Sequence, residues 1–353
     1  MDRKTVVVGM SGGVDSSVAA WLLKKQGYDV IGVTMQIWQE EGREIAEEEG
    51  GCCGLSAVDD ARRVAGALRI PHYVMNFREE FKTCVIDYFI QEYLQGRTPN
   101  PCIACNRHVK WESLLKRSMD IGADYIATGH YAKVERLKSG RYALRTSISG
   151  EKDQTYALYN LTQEQLARTL MPVGDYSKEE IRKMAGDIGL SVAGKPDSQD
   201  ICFVPDGDYG SYIEAHAGKE MRPGNFVLSD GTVVGRHRGI AYYTVGQRKK
   251  LGLSLGRPAF VLEIRPEDNE IVVGSGEESM SSCVWAENVS FMSVSDLEEP
   301  LRVWAKIRYN HKGAWCIVEK TGEDEILCTF DEPVRAVAPG QAVVLYDGEY
   351  VLG

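Results

Sequence analysis

The feature that most constrains the fold is a glycine- and serine-rich segment directly after the first apolar run. Val6 to Val8 predicts a strand, and Gly9 to Ser17 joins it to an amphipathic pattern that predicts a helix from about Ser16 to Gln26. Adjacent glycines let the backbone approach a ligand closely, while serine hydroxyls and the N–H groups of a helix N-terminus attract an anion. A strand, a glycine turn and a helix in this order predict a phosphate-binding loop.

Two familiar nucleotide motifs do not fit this segment. It lacks the lysine of a Walker A loop and the third glycine of a dinucleotide fingerprint. A glycine-rich turn in which Asp15 or Ser16 only caps the helix is the alternative that the residues leave open.

Short β-branched runs alternate with amphipathic helical patterns over residues 1–205. The alternation predicts a doubly wound α/β domain, with a parallel sheet covered on both faces. Predicted strands lie at residues 4–10, 28–38, 72–77 and 125–129, and predicted helices at about 16–26, 56–68 and 79–95.

The pattern of the sequence changes after residue 205. Glycines and prolines separate runs of alternating valines and aromatics, which predicts antiparallel strands. Two small β-rich domains, at residues 206–280 and 281–353, fit this pattern better than one large sheet.

The composition is that of a globular chain with an excess of acidic residues. Hydrophobic residues make up 43%, charged residues 26%, and the net charge is -10. This charge argues against a general nucleic-acid binder, although residues 236–250 are locally basic, with Tyr242 and Tyr243 interleaved for base stacking. No apolar stretch approaches the roughly 20 residues that span a bilayer, and the chain starts on a strand pattern. We therefore expect a cytoplasmic protein with no membrane partner.

Nine cysteines in such a chain are expected to be reduced, so metal or catalytic roles outrank a disulfide framework. Cys102 and Cys105 lie three positions apart on a proline-containing loop, a spacing suited to a shared metal or an exchangeable disulfide. Cys202 lies in a polar segment near the end of the α/β half. The cysteines in apolar patterns are predicted to be buried: Cys84, Cys283, Cys316 and Cys328.

Ser11-Gly12-Gly13-Val14-Asp15-Ser16-Ser17 resembles the pyrophosphate loop of the PP-loop ATPases, which split ATP between its α and β phosphates and adenylate a substrate oxygen. The resemblance implies ATP and Mg²⁺ as ligands. Eight consecutive residues are expected to bind the phosphates of ATP, and the backbone of two further residues is expected to bind the adenosine. These residues are Gly9, Met10, Ser11, Gly12, Gly13, Val14, Asp15 and Ser16, with Met35 and Gly129.

Five further segments narrow the resemblance to one family, the bacterial tRNA 2-thiouridylases. They occur in that family's order and extend the match over essentially the whole chain. The segments are Pro99-Asn100-Pro101-Cys102-Ile103-Ala104-Cys105-Asn106, Thr128-Gly129-His130-Tyr131, Lys152-Asp153-Gln154, Lys195-Pro196-Asp197-Ser198-Gln199 and Tyr243-Thr244-Val245-Gly246-Gln247-Arg248. The resemblance implies ATP-dependent 2-thiolation of the wobble uridine of tRNA through an adenylated base, with release of AMP and pyrophosphate.

The resemblance also implies roles for single residues. Cys105 is expected to be the nucleophile, and Cys202 the partner that carries a persulfide or forms a transient disulfide with it. Asn100, Pro101 and Cys102 are expected to face the target base. The residues expected to contact tRNA are His130, Lys152, Asp153, Gln154, Arg308, Tyr309 and Gln341.

Cys102 departs from the better-known family pattern, which has aspartate at this position. Three thiolates, from Cys102, Cys105 and Cys202, favour a metal, and a 4Fe-4S cluster with one open iron is the predicted cofactor. An open zinc site and a metal-free persulfide relay between Cys105 and Cys202 are the alternatives.

The expected partners follow from the same resemblance. They are the anticodon loop of tRNA and a sulfur donor, either a cysteine desulfurase, a persulfide carrier or inorganic sulfide. Two other functions stay open: another PP-loop adenylating ligase or amidotransferase, and a tRNA-binding relative without catalysis.

Overall fold

The computed structural model describes residues 3–37, 55–196, 201–204, 206–218 and 220–353. The α-helices are α1 (Val14–Lys25), α2 (Leu55–Leu68), α3 (Arg78–Phe81), α4 (Tyr88–Leu94), α5 (Pro101–Ala104), α6 (Leu115–Asp120), α7 (Gln163–Ala167), α8 (Lys178–Asp187) and α9 (Tyr209–His216). Lys82–Asp87 and Cys105–Leu114 are π-helical, and Gly150–Lys152, Thr155–Leu158 and Ile240–Tyr242 form 3₁₀ turns.

The strands divide between the two halves of the chain. Those of the first half are β1 (Thr5–Gly9), β2 (Asp29–Gln36), β3 (His72–Asn76), β4 (Tyr125–Ala127), β5 (Ala132–Arg136), β6 (Tyr142–Thr146) and β7 (Thr169–Leu170). Those of the second half are β8 (Gly224–Val227), β9 (Val233–His237), β10 (Phe260–Arg265), β11 (Glu270–Gly274), β12 (Met280–Glu287), β13 (Leu301–Lys306), β14 (Ala314–Gly322), β15 (Glu325–Arg335), β16 (Val344–Asp347) and β17 (Tyr350–Val351).

A parallel sheet forms the centre of the first half, in the order β3-β2-β1-β4-β7. Successive valines of β1 face opposite sides, since side chains alternate along a strand. Val6 and Val8 pack in a core with α1, α2 and α8, whereas Val7 packs in a second core with the π-helical segments and α4. The predicted doubly wound α/β architecture, with both faces of the sheet covered, is therefore confirmed.

The predicted helix at residues 79–95 is present but is not uniform. It runs through α3, the π-helical Lys82–Asp87 and α4. A second composite helix runs from α5 through the π-helical Cys105–Leu114 into α6. The π-helical turns bond each N–H to the carbonyl five residues earlier, and one such segment begins at Cys105.

Two further sheets lie in the second half. A four-stranded sheet has the order β10-β11-β8-β9, and an eight-stranded sheet has the order β12-β15-β14-β13-β16-β17-β6-β5. One hairpin within residues 1–205, the range predicted as the α/β domain, belongs to the eight-stranded sheet. The hairpin of β5 and β6 leaves that domain and pairs with β17, Tyr350 opposite Arg145.

Side-chain contacts hold this hairpin to the end of the chain. Arg145 pairs with Glu349 at 2.8 Å, and the Tyr350 hydroxyl donates to Glu135 at 2.8 Å. A pairing between residues some two hundred positions apart leaves no local pattern, because each strand presents only its own alternation.

Two of the four cysteines that were predicted to be buried are not buried. Cys316 and Cys328 are buried as predicted, but Cys84 is only half-buried and Cys283 is exposed. Cys283 lies on the outermost strand β12, on the face opposite the buried Val284.

Tyr242 and Tyr243 are buried, 8% and 6% exposed, so the expected base stacking by these rings is wrong. Arg248, Lys249 and Lys250 are exposed. Among the described residues, no helix is long and apolar enough to cross a bilayer.

Candidate active site

The glycine- and serine-rich loop lies between β1 and α1, at the carboxyl edge of the parallel sheet. β1 is flanked by β2 and β4, whose connections run to opposite sides, so a crevice opens at this edge. Gly13 is the N-cap of α1 and provides no side-chain cap. The alternative in which Asp15 or Ser16 caps α1 is therefore not supported, and no side chain occupies the anion-binding end of the helix in this way.

Hydroxyl groups organise the loop from within. The Ser11 N–H donates to Ser16 Oγ at 3.2 Å, and the two hydroxyls lie 3.3 Å apart. Ser17 donates its hydroxyl to the Gly13 carbonyl at 2.7 Å. Ser16 is thus the hydroxyl around which the loop closes, whereas Ser17 points back to the helix backbone.

Two glycines allow neighbouring segments to come close to the loop. Gly12 has φ +68°, and a Cβ there would lie 2.4 Å from the Ala57 carbonyl oxygen. A Cβ on Gly129 would lie 2.6 Å from the Ser16 nitrogen. Any side chain at either position would push α2 or the end of β4 away from the loop.

The residues predicted for the adenosine lie on either side of β1. The pairing of β1 with β2 ends at Gly9 opposite Val33, and Met35 continues β2 beyond it, paired with Met75 of β3. Gly129 follows the end of β4. The structure therefore places Met35 and Gly129 at the same carboxyl edge as the loop, as the predicted roles require.

Two residues that the sequence did not single out hold Asp15. Lys178 Nζ lies 2.7 and 2.8 Å from its two carboxylate oxygens, and the Tyr131 hydroxyl donates to it at 2.8 Å. Tyr131 lies in a segment that was recognised by resemblance, but no pattern around Lys178 marks it. Lys195 adds a further tie, with Nζ 2.8 Å from Asp60 and 3.3 Å from the Gly12 carbonyl oxygen.

The cysteine loop, residues 97–105, has a different construction. Asn100 caps α5, because its Oδ1 accepts from the N–H groups of Cys102 at 3.0 Å and Ile103 at 3.4 Å, and Pro101 occupies the first turn. The Asn100 side chain, predicted to face the target base, is thus engaged locally. Cys102 is exposed and Cys105 is half-buried.

The predicted metal centre has no structural support. Cys202 is exposed, like Cys102, and a search of the described residues, which include all three cysteines, yields no group of three or more histidine, cysteine or acidic residues placed to hold a metal ion. A cluster needs its ligands to converge on one point. A 4Fe-4S cluster at these cysteines therefore stays a prediction, and we derive no step through one.

The loop that joins β15 and β16 supports the cysteine loop. The Thr98 N–H donates to the Pro339 carbonyl at 2.7 Å, and Gln341 Nε2 donates to the Thr98 carbonyl at 2.7 Å. Gly340, with φ +90°, packs against Thr98 so closely that a Cβ would lie 2.9 Å from its nitrogen. Residues 339–341 therefore set the position of the segment that leads to Cys102.

Asp153, Lys306 and Tyr309 form a polar cluster, in which Asp153 and Lys306 are half-buried and Tyr309 is exposed. Burial raises the pKa of Asp153, although its carboxylate accepts from the Ser147 N–H at 3.0 Å and from the Thr155 hydroxyl at 2.5 Å. Burial lowers the pKa of Lys306, whose ammonium lies 5.9 Å from the Tyr309 ring centroid. Burial raises the pKa of Tyr309, and the nearby charge of Asp153 raises it further.

Three family models match consecutive parts of the chain. They are described as a tRNA methyl transferase HUP domain (residues 4–206), a tRNA methyl transferase PRC-barrel domain (210–275) and an aminomethyltransferase beta-barrel domain (281–353). The curated relative from Lachnoclostridium phytofermentans, a tRNA-specific 2-thiouridylase MnmA, is 64% identical over 99% of this chain and 98% of its own. The relative of that name from Clostridioides difficile is 57% identical over 99% and 97%. The chain belongs to the tRNA-specific 2-thiouridylase family.

For a 2-thiouridylase-family chain, the predicted tRNA contacts have unequal exposure. Lys152 and Tyr309 are exposed. Gln154 accepts from the Tyr131 N–H at 2.8 Å, and Arg308 donates to the Arg335 carbonyl at 2.8 Å. These tRNA contacts stay predictions, and those by Gln154, Gln341 and Arg308 would require their present hydrogen bonds to be shared or exchanged.

His130, another of the predicted tRNA contacts, is half-buried in a hydrogen-bond network. Its Nδ1 lies 2.7 Å from the Thr128 hydroxyl, and its Nε2 lies 3.4 Å from Lys110 Nζ. Burial and the nearby Lys110 charge lower its pKa well below the usual value. The ring is neutral and half-buried within this network, and a tRNA contact by His130 stays a prediction.

A cleft of about 730 Å³ opens beside the cysteine loop of this family member. Asn100, Ile103 and Arg107 line one wall, and Gln341 and the C-terminal strands line the other. Its volume is in the range of small-molecule sites. The ranges that the family models match do not by themselves define folding units, so the domain division at 205 and 280 stays a prediction.

Proposed function

We propose that this chain uses ATP to replace the 2-oxygen of the wobble uridine of tRNA with sulfur. The observation that carries the proposal is the placement of two elements in one α/β unit: a phosphate-binding loop at the switch point of the sheet, and a cysteine loop that begins a neighbouring helix. The chain is similar over its whole length to proteins named tRNA-specific 2-thiouridylase. A cytoplasmic location and tRNA as the partner belong to the same proposal.

The first step is adenylation of O2 of the base. The N-terminal N–H groups of α1 and the hydroxyls of Ser11 and Ser16 bind the phosphates. Oxygen donors of this kind, with the Asp15 carboxylate, also suit Mg²⁺, which neutralises phosphate charge when it is bound with ATP. The uridine oxygen attacks the α-phosphorus, pyrophosphate leaves, and C2 becomes reactive because AMP is a good leaving group.

The second step is sulfur transfer by a metal-free relay. Cys202 carries a persulfide received from a donor, and its terminal sulfur attacks C2 and displaces AMP. Cys105 then attacks the remaining Cys202 sulfur, so that the S–S bond breaks, 2-thiouridine is released and a Cys105–Cys202 disulfide forms. A dithiol reductant returns both thiols, and the two electrons that it supplies balance the reduction of the persulfide sulfur.

The cleft next to the cysteine loop supports entry of an extruded base. A base modified at its 2-carbonyl has to leave the stack of its loop. The descriptions of two family models speak of methyl transfer rather than thiolation. Sulfur transfer accounts for the two cysteines together with the phosphate-binding loop, because the C2 oxygen has to be activated before sulfur can displace it.

The decisive experiment follows 2-thiouridine in digested tRNA by mass spectrometry, with AMP and pyrophosphate measured in parallel. The protein is purified anaerobically, iron and zinc are quantified, and a low-molecular-weight persulfide is supplied. We expect thiolation by metal-free protein, loss with Cys105→Ala or Cys202→Ala, and tolerance of Cys102→Ala.

The other outcomes are equally specific. If all three alanine variants lose iron and activity together, the relay is wrong and a 4Fe-4S cluster is the cofactor. Cys102→Asp would then retain part of the activity, because carboxylate can ligate iron. AMP formation without sulfur incorporation would favour an adenylating ligase. Binding of tRNA without AMP formation would favour a non-catalytic relative.

A further inference from the structure

Lys110 is a half-buried lysine on the helix that Cys105 begins. Its Nζ donates to Asn106 Oδ1 at 2.8 Å and lies 3.4 Å from His130 Nε2. In a π-helix each N–H bonds to the carbonyl five residues earlier. Lys110 therefore follows Cys105 by one turn.

The charge of Lys110 is not neutralised by the part of the chain that the structure describes. No aspartate or glutamate there forms an ion pair with it, whereas the other lysines that come close to the nucleotide loop are paired. Lys178 pairs with Asp15 at 2.7 Å, and Lys195 pairs with Asp60 at 2.8 Å. A partly desolvated cation without a counter-charge is costly unless an anion arrives.

Two fixed acceptors aim the ammonium group. Asn106 is 2% exposed, and its Nδ2 donates to the Ala157 carbonyl at 2.8 Å, so its oxygen is left for Lys110. The imidazole of His130 is held at Nδ1 by Thr128 and is neutral at physiological pH, because burial lowers its pKa. When the neutral ring donates its Nδ1–H to the Thr128 hydroxyl, its Nε2 can accept a hydrogen bond from the Lys110 ammonium.

The position of this pair is next to the nucleotide loop. His130 lies between Gly129, which contacts the Asp15–Ser16 backbone, and Tyr131, whose hydroxyl donates to Asp15. Because His130 follows the end of β4, the ammonium of Lys110 lies near the carboxyl edge of the parallel sheet, between the end of β4 and the helix of Cys105. A nucleotide held at the N-terminus of α1 would present its α-phosphate, the group that joins it to the base, toward this edge.

We propose that Lys110 is a further catalytic residue, which contacts a non-bridging oxygen of the α-phosphate during adenylation and again when sulfur displaces AMP. The proposal rests on the proposed function. A positive charge held at this oxygen stabilises the charge that develops there in both steps, and no proton transfer is required. Preorganised groups of this type contribute about 10²- to 10³-fold to a rate.

The test compares Lys110→Ala, Lys110→Gln and Lys110→Arg with Lys116→Ala, a matched change at an exposed lysine in α6. Pyrophosphate release is measured in a single turnover with saturating tRNA and ATP, together with the Kd for ATP and thermal unfolding. We expect a loss of about 100-fold for both neutral variants and a smaller loss for arginine. Lys116→Ala should retain the wild-type rate.

Two readouts separate charge from structure. Lys110→Gln keeps a donor for Asn106 and His130, so a purely structural lysine would tolerate glutamine. Ethylammonium added to Lys110→Ala should restore part of the rate in proportion to its concentration, and rescue of a merely misfolded site is not expected. Glutamine activity within threefold of wild type, or no response to ethylammonium in a folded variant, would overturn the assignment.

The same assay distinguishes failure of the two proposals. If wild-type protein releases no pyrophosphate in response to tRNA, the proposed function is wrong. If wild-type protein does so and Lys110→Gln matches it, only the role of Lys110 is wrong.

Discussion

The nucleotide loop and the cysteine loop lie in the same domain but are built in opposite ways. The partners that fix the nucleotide loop, Ala57, Gly129, Lys178 and Lys195, belong to the surrounding α/β unit. The cysteine loop is fixed by residues 339–341, in the loop that joins β15 and β16 of the eight-stranded sheet. The first loop is complete within its own domain, whereas the second depends on the far end of the chain.

This difference separates ATP chemistry from sulfur chemistry within one protein. A perturbation of the eight-stranded sheet should disturb the position of Cys102 and leave the phosphate-binding groups in place. The following variants test that separation, in order of decreasing effect.

Ser16→Ala should reduce tRNA-dependent AMP formation about 100-fold or more, since it removes the hydroxyl around which the loop closes. Ser17→Ala is the matched control, because that hydroxyl donates to the Gly13 carbonyl and its loss should cost only about 1 kcal/mol of stability. AMP formation and urea unfolding are measured for both. A wild-type AMP yield from folded Ser16→Ala would remove the loop from the mechanism.

Asp15→Ala should also abolish AMP formation, but the structure adds a cost in stability. The variant leaves Lys178, 9% exposed at its side chain, without its carboxylate. Unpairing a buried charge destabilises strongly. The double variant Asp15→Ala, Lys178→Met should regain stability in urea unfolding while remaining inactive, and recovery of activity would contradict a direct role for Asp15.

Neutralising Arg248, Lys249 and Lys250 together should weaken tRNA binding and lower the slope of log K against log salt by about 2 to 3. These side chains are exposed and lie outside the α/β unit, so the Kd for ATP should not change. A control that neutralises the exposed Lys116, Lys138 and Lys183 has the same net charge. Equal loss of tRNA affinity in both variants would show an effect of net charge alone.

Gln341→Leu should lower 2-thiouridine formation about fivefold, because it removes the hydrogen bond to the Thr98 carbonyl, which is worth roughly 1 kcal/mol. The Kd for ATP should match wild type. Gln91→Leu, at an exposed glutamine of α4, serves as the control. If Gln341→Leu weakens ATP binding as much as thiolation, the two loops are not independent.

His130 joins the two regions and makes the smallest contribution. Its folded-state pKa lies below the unfolded value of about 6.5. The stabilisation is therefore complete above pH 6.5 and is lost as the pH falls below it, by at most about 1.4 kcal/mol per pH unit. His130→Gln should flatten the dependence of unfolding free energy on pH between 7 and 5, and an unchanged slope would place the titration elsewhere.

The parts that sequence predicted well are those that local patterns determine. The alternation of Val6 to Val8 with the helix of Val18 and Leu22 follows from side-chain period alone, and the glycine loop follows from what a close backbone approach requires. The pairing of the β5–β6 hairpin could not be predicted, because its partner β17 is remote in sequence. Lys178 and Lys110 were missed for the same reason: their roles arise from residues that only the fold brings near.

The pairing of β6 with β17 has a consequence for the order in which the chain can fold during synthesis. The first half can close its parallel sheet as soon as it leaves the ribosome, but the edge of β6 has no strand to pair with until residues 350–351 are made. An unpaired edge invites pairing with other chains. Chains truncated before residue 350 should therefore aggregate through the exposed edge of this hairpin.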